Sequence, residues 1–129
     1  MTKGEIAKEY FLNGVNCAQA VALAFKDEMD LDEKTIKKLI IGFGGGFARQ
    51  GYVCGAVSGL TMVLSYLKSD GEDKLGCYAL IKEACGKVKE KLGSIICSEL
   101  IAGLDDGKKK VACADICATV ADITAEYIK

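Results

Sequence analysis

Residues 42–59, Gly-Phe-Gly-Gly-Gly-Phe-Ala-Arg-Gln-Gly-Tyr-Val-Cys-Gly-Ala-Val-Ser-Gly, hold seven glycines, the chain's single arginine, Arg49, and Cys54. Glycine is costly to order unless the backbone takes positive φ or must come very close to something. The segment therefore reads as a loop around which the rest of the chain is organised. Directly after it Val57, Leu60, Met62, Val63, Leu64 and Leu67 fall at a spacing that predicts a helix buried on most sides, with Cys54 in its first turn. A thiol there faces unpaired N–H groups and the positive end of the helix dipole, and both favour thiolate.

Helical periodicity recurs on either side. Thr2 is the expected cap of a helix to about Leu12, with Ile6, Ala7, Tyr10 and Phe11 on one face, and Asn13-Gly14 stops it. Asn16 is the expected cap of a second helix, Cys17 to about Met29, with Cys17, Ala18, Val21, Ala22 and Phe25 inward. Asp32 opens a third, with Ile36, Leu39, Ile40 and Phe43 inward and Lys34, Lys37 and Lys38 outward. After the helix begun by Cys54, where Gly55 and Gly59 imply a close neighbouring backbone, a fifth helix runs to about Leu92 with Cys77, Leu80, Ile81, Ala84, Cys85 and Val88 on one side. A short helical segment spans Ser94 to Ala102, and a last helix, Lys108 to Ile128, places Cys113, Ile116, Cys117, Val120, Ile123 and Tyr127 together. Strand-like alternation is hard to find and proline is absent. The reading is an all-α, single-domain bundle of five to six helices over residues 1–129 with a glycine-rich loop.

The 17 basic and 18 acidic residues leave no nucleic-acid footprint. The longest apolar run, Ala56 to Leu67, is too short for a membrane span and is interrupted by Ser58, Gly59 and Thr61. With no signal-peptide pattern at the N-terminus, the expected location is cytoplasmic. Apolar bundle faces make a homodimer plausible. No histidine is present, which excludes histidine general bases, mixed Cys/His zinc sites and histidine-ligated haem. Seven cysteines, an odd number, argue against a structural disulfide framework and for metal binding, redox chemistry or plain packing.

Cys17, Cys54 and Cys97 each follow a glycine at or near a helix start, and Cys113 lies one turn inside the last helix. In a bundle, helix starts at one end cluster, so these four thiols can meet across separations of 37, 43 and 16 residues. Such a centre suits an anion at helix termini, whether an iron-sulfur cluster ligated by cysteine or a pair of activated thiolates. Free cysteine also packs as a small hydrophobe, and that is the reading for Cys77, Cys85 and, by preference, Cys117. Arg49 either holds an anion or raises a cluster's potential, or else it caps carbonyls at the surface. Gly42-x-Gly44 lacks the βαβ context of a dinucleotide site. Lys108-Lys109-Lys110 reads as a solvated helix start.

Asn16-Cys17-Ala18-Gln19-Ala20-Val21, Gly44-Gly45-Gly46, Cys54-Gly55-Ala56-Val57-Ser58-Gly59, Cys97-Ser98-Glu99-Leu100 and Cys113 together resemble the redox-active C_GCAxxG_C_C family, over nearly the whole chain. The resemblance implies a helical redox protein that uses Cys17, Cys54, Cys97 and Cys113, either as ligands of an iron-sulfur cluster or as redox thiols. It also implies a partner such as an oxidoreductase or a transporter-associated protein. Gly44, Gly45, Gly46, Arg49 and Gly55 are the expected cofactor-side residues, and a four-thiolate zinc site is the further alternative. Cys117 stands where an aliphatic residue would be usual, which leaves Cys113 and Cys117 competing for the fourth place.

Overall fold

The computed structural model describes residues 1–128. Its α-helices are α1 (Lys3–Leu12), α2 (Cys17–Leu23), α3 (Lys26–Met29), α4 (Glu33–Ile40), α5 (Gly55–Lys68), α6 (Lys74–Leu92), α7 (Cys97–Leu100) and α8 (Asp106–Ala125). Among the described residues there is no strand, only an isolated antiparallel bridge between Val53 and Ile96. The all-α expectation therefore holds, with six longer helices and two single-turn ones: α3, split from the expected second helix, and α7, inside the expected helical segment 94–102.

The helix starts are written in the sequence. Thr2 and Asn16 each form a capping box, with Glu5 and Gln19 answering three residues on. Asp32, Asp73 and Asp105 accept from Thr35, Gly76 and Lys108 backbone N–H groups. Each such cap is worth about 1 kcal/mol. The cap at Asp105 starts α8 two residues before the expected Lys108.

α2 is the centre of the molecule. Residues 18–23 are buried on every side, because α1, α4, α5 and α8 all pack around them. α5 comes closest: a methyl group on Gly59 would sit 2.9 Å from Val21 Cβ and 3.0 Å from the Ala18 carbonyl oxygen. The small-residue pair Gly55/Gly59 thus marks a close backbone approach, as expected. α1 pairs with α8, joining the two ends of the chain, and Asp122 Oδ1 accepts the Gly4 N–H at 2.7 Å.

Several expected elements are revised. The second helix does not run unbroken to Met29. It ends at Leu23, and Phe25 (φ −110°, ψ 18°) turns the chain into α3, so that Phe25 and Met29 both enter the core while Lys26 reaches Glu33 at 2.7 Å. α4 buries Ile36 and Ile40, but Leu39 is 59% exposed, and the helix gives way at Ile41 to a 3₁₀ turn. The helical period is lost there, so Phe43 does not face inward and packs edge-on against Phe47 at 5.2 Å. Cys54 is the residue before α5 and not part of its first turn. Of the α6 stripe only Ala84 and Val88 are fully buried; Cys77 and Cys85 are half-buried. The segment expected to be helical over 94–102 makes one turn, because residues 95–98 bond to the glycine loop. α8 stops at Ala125, before Tyr127.

Candidate functional site

The glycine loop folds as a left-handed knot. Gly45, Gly46, Phe47, Ala48 and Arg49 all have φ between 54° and 73°. Three of them carry side chains, at about 1–2 kcal/mol each. Bonds from the Ala48, Arg49, Gly51 and Tyr52 N–H groups to the carbonyls of Gly42, Gly44, Gly45 and Gly46 repay about 1 kcal/mol apiece. Edge-to-face contacts of Phe47 with Phe43 and Tyr52 add about 1 kcal/mol each, which roughly offsets the strain.

The knot is stapled to α7. Tyr52 C=O accepts from Cys97 N–H at 2.7 Å, Ile95 C=O accepts from Cys54 N–H at 2.8 Å, and Gly51 C=O accepts from Ser98 N–H at 3.3 Å. These bonds bring Cys54 and Cys97 side by side. Cys17 arrives from the start of α2, whose cap Asn16 also donates Nδ2–H to the Ile41 carbonyl at 2.9 Å, tying α2 to the root of the loop. Two glycines permit this closeness. A methyl on Gly55 would fall on Cys17 Sγ, and one on Gly46 would lie 2.5 Å from Tyr52 N and 3.0 Å from Cys97 Cβ. Gly44 is pressed against the Asn16 side chain in the same way.

Cys113, about two turns into α8 and so deeper than the one turn expected, completes the group. Cys17, Cys54, Cys97 and Cys113 line one cavity of about 860 Å³. Phe11, Val15, Leu100, Ile101 and Ile116 form an apolar wall, and Arg49, Lys109 and Lys110 stand around it with Asp106. Cys77, Cys85 and Cys117 are not on the lining. Cys117 is fully buried one helical turn behind, its Sγ–H directed at the Cys17 carbonyl at 3.9 Å. Of the two competitors for the fourth position, Cys113 is the one open to the cavity.

A family model described as "Putative redox-active protein (C_GCAxxG_C_C)" matches residues 15–127. The chain belongs to this family. All four cavity thiols of this C_GCAxxG_C_C protein, and its glycine loop, lie inside the matched segment. It is 25% identical over 128 residues, covering 88% of this chain and 85% of the other, to an uncharacterized protein of Archaeoglobus fulgidus. No solved structure matches it.

Cys54, Cys97 and Cys113 of this C_GCAxxG_C_C protein are not activated as their places near helix starts predict. Burial pushes Cys54 up to about 12, and the neighbouring Cys17 thiol adds to this. The Val57 and Ala56 N–H groups pull the other way, as a helix start should, but burial is larger. Cys113 is raised to about 11 and Cys97 is also raised, again by burial first and by neighbouring thiols second. Lys109 works against both rises. With nothing bound, Cys54, Cys97 and Cys113 are therefore neutral thiols at pH 7.

Of the expected cofactor-side residues, Gly45 and Arg49 line the cavity, while Gly44, Gly46 and Gly55 act behind it by making room for Asn16, Cys97 and Cys17. Sequence reasoning missed Lys109, treating it as part of a solvated helix start. The signal was its place four residues before Cys113, on the same face of α8.

The donor set fits an iron-sulfur cluster in kind: four thiols and no histidine around one cavity, with Gly46 and Gly55 letting Cys97 and Cys17 come close from behind it. Among the described residues no three Cys, Asp or Glu side chains are grouped closely enough to hold a single metal ion. Nor is any helix among them long and apolar enough to cross a membrane.

Proposed function

We propose that this protein is an electron-transfer or redox-sensing protein in which Cys17, Cys54, Cys97 and Cys113 ligate an iron-sulfur cluster. The observation that supports it is the sorting of the seven cysteines. The four that come from separate segments share one cavity, and the three others are kept out of it. A bound cluster supplies one-electron chemistry whose potential depends on net charge, hydrogen bonding and solvent exposure. The chain's own residues set all three. Arg49 and Lys109 bring positive charge, which favours the reduced form. The apolar wall and the 5% exposure of Cys54 limit water. Gly46 and Gly55 let Cys97 and Cys17 approach from behind the cavity, where a side chain would push them apart. A redox partner protein would exchange the electron, and a reducing compartment such as the cytoplasm would keep the three outlying thiols reduced.

The test is anaerobic purification with visible absorption, iron and acid-labile sulfide measured together. Iron and sulfide in matching amounts are expected, lost in Cys54→Ala and kept in Cys85→Ala; equal retention in both variants would sink the assignment. The Cys17 thiol neighbouring Cys54, Cys97 and Cys113 favours a second reading, metal-free thiol-disulfide exchange within the same four cysteines. Two thiols would pass two hydrogens to a partner's disulfide, leaving one disulfide here and two thiols there. A mass loss of two hydrogens, reversed by reductant, would identify it. Stoichiometric zinc in a colourless protein would point instead to a four-thiolate structural site.

A further inference from the structure

The cavity is larger in its chemistry than a thiol site requires. Beside the four thiols stand three cations, Arg49, Lys109 and Lys110, against one carboxylate, Asp106. None of the three cations forms an ion pair among the described residues, where the ion pairs are Lys3–Glu28, Lys8–Asp115, Lys26–Glu33 and Lys87–Glu126. Lys109 is half-buried, while Arg49 and Lys110 are exposed at the mouth of the cavity.

Both cationic elements are locally unfavourable. Arg49 sits at φ 64° in a region that L-residues avoid, and non-glycine strain of this kind gathers at ligand clamps. Lys109 and Lys110 lie near the start of α8, where positive charge opposes the helix dipole. Two separate segments thus carry cations against local preference, and both bring them to one cavity, a pattern expected at binding sites. The volume of about 860 Å³ and the mixture of an apolar wall with a few convergent polar groups are those of a small-molecule site.

We propose that the cavity binds a small organic anion, phosphate- or carboxylate-bearing, with Arg49, Lys109 and Lys110 holding its charged end and Phe11, Val15, Leu100 and Ile101 facing its apolar part. This deepens the redox reading by naming the ligand class of the same site, and it rests on that reading only for the redox role of the thiols. An anion in this position lies beside Cys97 and Cys113, so its binding is sensed at the thiols.

Titration calorimetry of the anaerobically purified protein with citrate and with pyrophosphate, each at constant ionic strength, tests it. At least one probe binds with one site per chain. Arg49→Gln and Lys109→Gln each weaken binding about tenfold, as loss of a charged hydrogen bond does. Lys82→Gln, on the exposed side of α6 and off the cavity, leaves binding unchanged. Binding of citrate alone assigns a carboxylate ligand, and binding of pyrophosphate alone a phosphate ligand. Failure of both probes at millimolar concentration overturns the proposal, as does binding that survives in the Arg49→Gln/Lys109→Gln double variant. Iron and sulfide are measured on the same samples. Loss of anion binding with iron retained supports the proposal; loss of both together assigns the cations to the thiol centre and overturns it. Anion binding in a protein that never holds iron keeps the proposal while removing the cluster.

Discussion

Gly55→Ala and Gly86→Ala are the same chemical change in two helices, and the structure gives them opposite signs. At Gly55 the new methyl would fall on Cys17 Sγ and lie 3.0 Å from the Phe43 carbonyl oxygen and 3.3 Å from Ala18 N. The thiol could turn aside, but the two backbone atoms belong to the loop root and to the buried start of α2 and cannot. Overpacking of this kind costs about 1–3 kcal/mol, which for a domain of this size lowers Tm by about 3–10 °C. At Gly86, exposed in the middle of α6, a methyl meets nothing within 4 Å. Relief of glycine's backbone entropy should there stabilise by about 0.5–1 kcal/mol and raise Tm by about 2–4 °C. Thermal and urea unfolding of both variants, with the reactivity of the folded-state thiols followed in parallel, gives the comparison. Gly55→Ala should also make Cys17 more reactive, since relaxation must move it. A Gly55→Ala protein as stable as the parent, with unchanged thiol reactivity, would refute the claim that this glycine is a spacer for Cys17.

Ala48→Gly should stabilise by about 0.5–1 kcal/mol in urea unfolding, because Ala48 is exposed at φ 54° and loses only strain. The raised thiols predict the pH dependence. Cys54 and Cys113 ionise near 9 when unfolded but at about 12 and about 11 when folded, so the unfolded chain holds fewer protons between those values and stability falls as pH rises from about 9 towards 12. Urea midpoints at pH 8 and pH 10 check this, and Cys54→Ala should flatten the slope. For the same reason, alkylation of Cys54 in the folded protein should remain slow at pH 9, read by mass spectrometry of the labelled peptides.

Much of this was legible because helix signals are local. The Thr2, Asn16 and Asp32 caps, the Asn13-Gly14 stop and the inward stripes depend on residues a few positions apart. Three of the four site cysteines were legible through position at helix starts; Cys113 was read as one turn inside α8 and lies about two turns in, because the Asp105 cap starts the helix earlier. The break at Phe25 was not legible, since it follows from where Lys26 finds Glu33 and where Phe25 finds room. Nor was the left-handed knot, because Phe47, Ala48 and Arg49 adopt that backbone only through bonds to Gly42, Gly44 and neighbours in the folded loop. The thiol ionisation was misjudged for a related reason. A helix start can be read from sequence, whereas burial of Cys54 to 5% is a product of the whole assembly.

The pairing of α1 with α8 has a consequence for the order of events in the cell. Cys17 is near one end of the chain and Cys113 near the other, and Cys117 reaches back across 100 residues to the Cys17 carbonyl. A growing chain on the ribosome exposes Cys17, Cys54 and Cys97 before the segment that carries Cys113 and Lys109 emerges. The four-thiol cavity therefore closes only after α8 has emerged and packed against α1 and α2. A chain cut before α8 keeps three of the four cavity thiols and lacks the wall that bears the fourth.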